Sequence, residues 1–90
     1  MPPIPPSIFT AVMKVVARLA PLAYKAGRLL RRSEIVKISK EYVITITRRW
    51  ELGADGGMSQ MVEILKKGKV QQIWHMVVRA GKVIHRDRKL

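Results

Sequence analysis

The residues of this chain best suited to proton transfer are its two histidines, His75 and His85, together with Ser59. There is no cysteine, so no thiolate nucleophile, no disulfide and no Cys-rich zinc module. Two histidines alone make a poor metal site, and no cofactor is expected. What remains is acid–base work by imidazole, which titrates near neutrality. Two facing imidazoles ringed by cations suit metal-independent cleavage of RNA. One group takes the proton of the 2′-hydroxyl and another protonates the departing 5′-oxygen, while cations or hydrogen-bond donors steady the charged phosphorane. His75 and His85 are the candidates for proton transfer. Ser59 and Thr47 are candidate donors, and Arg48, Arg49, Lys82 and Arg86 are candidate phosphate contacts. A histidine in a strand of a small basic protein is more often a surface or structural residue, so catalysis requires the two to share a face.

Residues 59–88 decide that question. The alternation of apolar and polar residues reads as three strands joined by two tight turns, each with a glycine, Gly68 and Gly81. Two registers compete. Three-residue loops, Lys66-Lys67-Gly68 and Arg79-Ala80-Gly81, place glycine at the left-handed third position. They set Leu65 against Lys69 and Val78 against Lys82, so that Ser59 and His85 both fall directly opposite His75. Two-residue loops would put the histidines on opposite faces, since a one-residue slip inverts every side chain. The glycine position favours the first. In that register Val62, Ile64, Val70, Trp74, Met76, Val78 and Ile84 form a core face. The other face is mixed: Ser59, Glu63, Gln71, His75, His85 and Asp87, with Met61, Ile73 and Val77 among them.

The remaining elements must support this meander. Ser7 is a candidate N-cap for a helix over about 8–32, whose apolar positions Ile8, Val12, Val15, Val16, Leu19, Leu22, Ala23, Ala26, Leu29 and Leu30 follow the 3.6-residue period. Pro21 predicts a kink or a break. Lys14, Arg18, Lys25, Arg28 and Arg32 form a basic stripe, read as a solvated face, a polyanion contact or a membrane-surface contact. Residues 33–41 are open between a short strand and a helical turn. Residues 42–50 are rich in β-branched and aromatic residues and read as a strand, with Tyr42, Ile44 and Ile46 on one side. Residues 51–58 carry Asp55-Gly56-Gly57 and read as a plain turn, since they lack the lysine and spacing of a phosphate loop. Trp50 and Trp74 read as core residues rather than base-stacking platforms. The result is an α+β domain in which a kinked N-terminal helix packs on an antiparallel sheet of about four strands. Residues 1–6 form a Pro-rich linker and 7–90 a single domain.

Charge narrows the partners. Eighteen Lys and Arg against six Asp and Glu give +12, which calls for a polyanion: nucleic acid, an acidic protein or an anionic surface. No secretory signal is apparent, and the apolar run 8–23, interrupted by Lys14, Arg18 and Pro21, is short of a membrane span.

The pattern Ala54-Asp55-Gly56-Gly57-x-Ser59, Gly68-Lys69-Val70, Trp74-His75-x-Val77, Gly81-Lys82-Val83-Ile84-His85 resembles the C-terminal tips of bacterial polymorphic toxins, of the barnase, EndoU and colicin ribonuclease group. The resemblance covers 54–87. It implies an N-terminal helix, a four-stranded antiparallel sheet and a site on the open sheet face, with polar site residues at His75, His85 and Ser59. It also implies delivery within a larger secreted effector, action in the cytoplasm of a target cell, and a cognate immunity protein, here expected to be acidic. No glutamate is clearly placed as a barnase-like base, though Glu63 shares the proposed face. The expectation is thus a toxin domain acting as a metal-independent endoribonuclease. The alternatives are a non-catalytic basic nucleic-acid-binding module and a small subunit for an acidic partner.

Overall fold

A computed structural model describes residues 4–25, 33–52 and 58–90, with side chains described for all of these except 20–25, 33 and 48–52. Among the described residues the order is helix α1 (Pro6–Lys25) and strands β1 (Ser33–Lys37), β2 (Tyr42–Leu52), β3 (Met58–Lys66), β4 (Lys69–Arg79) and β5 (Lys82–Arg88). The strands form one antiparallel sheet in sequential order. The α+β architecture is as expected, with five strands rather than about four. The fifth is 33–37, whose apolar alternation pairs with β2.

The helix begins one residue before the expected cap. Pro5 offers its carbonyl to the amides of Ile8 (3.0 Å) and Phe9 (3.1 Å), so Ser7 lies within the first turn. Pro6 suits that place: its missing N–H would have had no intrahelical partner, and its φ is already helical. The helix runs through Pro21 to Lys25 as one element, without the anticipated break. The residues expected to extend it, 26–32, lie outside the described residues, as does the end of the basic stripe.

Packing follows the periods in the sequence. Val12 and Val16, four apart on the helix, are fully buried against Ile44, Ile46, Val62, Ile64, Met76 and Val78. Each such side chain contributes roughly 1.5–3 kcal/mol by leaving water. Phe9 tilts onto Trp74 with ring centroids 4.9 Å apart, and Leu19 and Ile4 pack at the margin. Trp74 donates its indole N–H to Gln72 Oε1 at 2.8 Å, which satisfies both polar groups at the core edge. Lys14 and Arg18 are exposed on the far side of the helix.

The turns differ from the favoured reading, and the difference matters for the site. Both are two-residue loops, Lys67-Gly68 and Ala80-Gly81, closed by Lys66 opposite Lys69 and Arg79 opposite Lys82. All four loop residues have positive φ (50° and 79°, 51° and 75°), the double left-handed conformation of a type I′ hairpin. Left alone, these loops would invert the strands beyond them. Each is followed, three residues past its glycine, by a bulge that inverts them back. Gln71 is the extra residue between the pairs Leu65–Val70 and Ile64–Gln72, and Ile84 between Val78–Val83 and Val77–His85.

Two core assignments fail for this reason. Val70 lies before the first bulge, opposite Leu65, and so faces away from the helix. Ile84 is itself the bulged residue and is 49% exposed. Beyond the bulges the faces are as expected.

Candidate active site on the open sheet face

The helix covers one face of the sheet, and among the described residues no element packs on the other. This open face carries Val43, Thr45 and Thr47 of β2, Ser59, Met61 and Glu63 of β3, Ile73, His75 and Val77 of β4, and His85 and Asp87 of β5. Most are half-buried by their neighbours, and His85 and Asp87 are exposed.

The register brings the three proton-transfer candidates together on the diagonal rather than directly across. Ser59 is opposite Val77, His75 opposite Met61 and Asp87, and His85 opposite Val77. Diagonal neighbours on one sheet face stay within reach of long or ring side chains. Ser59 Oγ and His75 Nε2 share a hydrogen bond. The His75 and His85 rings meet edge to face, with centroids 6.0 Å apart and planes inclined at 64°. The direct opposition expected from three-residue loops is therefore replaced by a two-residue offset, which preserves the shared face.

Asp87 completes the group. Its carboxylate accepts from Lys89 Nζ at 2.6 Å. That bond and the ammonium charge hold the Asp87 carboxyl below its usual range, assisted by the nearby His85 and His75. A serine, a histidine and an aspartate on three neighbouring strands suggest a nucleophilic triad, but a triad needs the carboxylate on imidazole Nδ1. Here it binds Lys89. Lys89 and Asp87 were not singled out from the sequence as site residues. The signal was present in the spacing Asp87-x-Lys89, since residues two apart on an extended chain fall on the same side.

The expected phosphate contacts divide. Lys82 is exposed and pairs with Arg79, on the open-face parity next to the second turn. Arg86 lies opposite Met76 on the helix-covered face. It donates from Nη1 to Met13 Sδ at 3.1 Å, and its guanidinium stands 5.4 Å from the centre of the Phe9 ring. In this position it clamps the helix to β5 and is not beside the histidines. Arg48 and Arg49 are in β2, with side chains outside the described residues, and the same holds for Trp50. Among the described residues no group of three or more His, Cys, Asp or Glu lies together as a metal site, and no helix is long and apolar enough to cross a membrane.

No known protein family, curated protein or solved structure matches this chain.

Proposed function

We propose that the domain is a metal-independent endoribonuclease that cuts RNA by transesterification on the open sheet face. The observation that carries the proposal is the Ser59–His75–His85 contact: two imidazoles 6.0 Å apart, one of them held by a serine. Phosphodiester transfer needs one base and one acid, each within hydrogen-bond reach of its oxygen. With Nε2 of His75 engaged by Ser59, Nδ1 is the nitrogen that exchanges a proton with substrate. When Nε2–H donates to Ser59 Oγ, the lone pair is on Nδ1, the tautomer of a base. His85, exposed at the sheet edge, then serves as the acid.

In the step itself, His75 accepts the 2′-hydroxyl proton as that oxygen attacks phosphorus. The P–O5′ bond breaks, and His85 delivers a proton to the 5′-oxygen. The products are a 2′,3′-cyclic phosphate and a free 5′-hydroxyl, with no net change in protons. Lys89, tied to Asp87, and Lys82 are the cations assigned to the phosphorane charge.

The biological setting in this proposal rests on the toxin-like pattern over 54–87. The domain is the killing end of a larger delivered effector and acts in the target-cell cytoplasm. An acidic immunity protein masks the face bearing His75, attracted by the +12 charge. A second reading, a non-catalytic nucleic-acid-binding module, is favoured by that charge alone. Cleavage of RNA in EDTA and its loss in His75→Ala and His85→Ala separate the two, because both readings give salt-dependent binding.

A further inference from the structure

A second basic cluster among the described residues lies at the end of the sheet away from the histidines. At one end of the sheet the segment between β1 and β2 lies beside the first hairpin turn, and the amide of Lys67 donates to the carbonyl of Glu41 at 3.2 Å. This tip gathers Lys37, Lys40, Lys66, Lys67 and Lys69 with one carboxylate, Glu41. All of these lysines but Lys66 are exposed. Lys66 Nζ is 3.8 Å from Glu41 Oε2 and 5.8 Å from the centre of the Tyr42 ring.

The fold gains little from this arrangement. Lys66 is directly opposite Lys69, and like charges so placed destabilise a sheet. A single long ion pair offsets five cations only in small part. We infer that the lysine tip is a distal phosphate subsite, which holds the backbone of a single-stranded RNA whose scissile bond lies at the histidines. This rests on the ribonuclease reading for its orientation, although not for its binding.

The chemistry favours RNA over other polyanions. Lysines act as point charges toward phosphate and carry no base preference, as a flanking subsite requires. A membrane anchor would pair the cations with exposed apolar residues. The turn residues here are Lys67-Gly68 and Ser39-Lys40-Glu41, and Ile38 packs toward the core; the large apolar side chain exposed nearby is Ile35, two residues before Lys37 in β1, and one side chain does not make an insertion face. A protein partner would require an apolar centre within the charged rim, and lysines around a sheet end supply only the rim.

Spacing gives the length of the substrate. Lys66 and Lys69 take the helix-side parity, while Lys37 shares the open face with His75, in one row with Val43, Leu65 and Val70. Five residues along β4 at about 3.3 Å and three strand spacings of about 4.8 Å give a diagonal of roughly 22 Å from Lys37 to His75. A stacked strand advances about 3.4 Å per nucleotide, so about six nucleotides span the gap. RNA shorter than that cannot use both sites.

The test is binding of a non-cleavable 2′-O-methyl RNA of about twenty nucleotides, and of a trinucleotide, over a salt series. The variant combines Lys37→Gln, Lys40→Gln, Lys67→Asn and Lys69→Gln. Asparagine is chosen at 67 because the position is left-handed, and Lys66 is kept because it is tied to Glu41. Far-ultraviolet dichroism and melting confirm folding. Four lost contacts should flatten the slope of log K against log salt by about three for a single strand. Between 50 and 200 mM salt the native affinity should then fall about fiftyfold more than that of the variant, and a trinucleotide, which offers fewer phosphates than the four lysines, should show a smaller difference. An unchanged slope overturns the proposal, as does native protein that prefers phosphatidylserine vesicles to RNA. Because the probe cannot be cut, these outcomes are independent of catalysis. If the histidine variants cleave normally while the slope flattens, the ribonuclease site is wrong and the lysine tip stands.

Discussion

His85 lies one diagonal step from His75, opposite Val77, because the bulge at Ile84 undoes the inversion made by the two-residue turn before it. The edge-to-face contact of the two rings is thus a product of two offsets. Neither offset alone would leave both imidazoles on the open face.

Ser59 orients His75 in this arrangement. Ser59→Ala removes that bond and should lower the RNA cleavage rate about tenfold, less than loss of the imidazole itself, with KM nearly unchanged. Rescue by Ser59→Thr, which keeps the hydroxyl, separates orientation from bulk packing. An equal fall in both variants would mean that the hydroxyl has no part in it.

The turns hold a stability reserve. Ala80 has φ 51° and Lys67 has φ 50°, both in the left-handed region that costs a Cβ-bearing residue about 1–2 kcal/mol. Asparagine relieves part of that strain in a type I′ turn. Ala80→Asn should therefore raise stability by roughly 0.5–1 kcal/mol, read from the denaturant midpoint at constant m-value. Gly81→Val should lower it. A Cβ there meets no atom within 4 Å, so the penalty is backbone strain from its φ of 75°.

Gln60 is fully buried in the core, and among the described residues neither of its amide atoms has a hydrogen-bond partner. An unsatisfied buried polar group costs about 1–3 kcal/mol. Gln60→Met, similar in length and apolar, should raise the melting temperature without changing cleavage. A lower melting temperature would place an undetected polar partner beside it.

Much of this fold was legible in the sequence. The period-two alternation of Val62 and Ile64, and of Trp74, Met76 and Val78, marked the face that the helix covers. The spacing of Val12 and Val16 marked the helix face that meets it. Ser59, His75 and His85 could be placed together for the same reason. The bulges were not legible. Val70 was read as core because nothing in Lys69-Val70-Gln71 signals an extra residue, and Ile84 is an apolar residue spent on a bulge. The loop length was misread because Lys67 and Ala80 are unusual in the left-handed first position of a type I′ turn, where asparagine is the common signal. The two misreadings cancel in parity, so the faces survived while the direct pairings did not. The clamp of Arg86 on Phe9 and Met13 joins residues far apart in the chain, which hid the contact; its face was legible, since alternation with His85 and Asp87 puts Arg86 on the helix side.

Asp87 offers a check on the local electrostatics. The hydrogen bond and charge of Lys89 depress its carboxyl below the ordinary value of 3.8. The folded pKa lies below the unfolded one, so the stabilisation is present above the unfolded value and is lost as pH falls through the folded one. Side-chain NMR titration should find Asp87 titrating below the normal carboxylate range. Lys89→Met should return it toward that range, and an unmoved titration would mean that the Lys89 contact is absent in solution.

The most direct test of the central claim is the rate of RNA cleavage in EDTA by the parent protein, His75→Ala and His85→Ala. EDTA removes the metal-assisted route, and a 2′-deoxy strand serves as the inert control because it has no nucleophile. The parent should release 2′,3′-cyclic phosphate ends with a bell-shaped pH profile, one limb for the base and one for the acid. Each substitution should slow the reaction by about 10²–10⁴, the usual worth of a general acid or base, and each variant should still fold and bind RNA. Parent rates in both variants, or no cleavage by the parent without metal, would contradict the account.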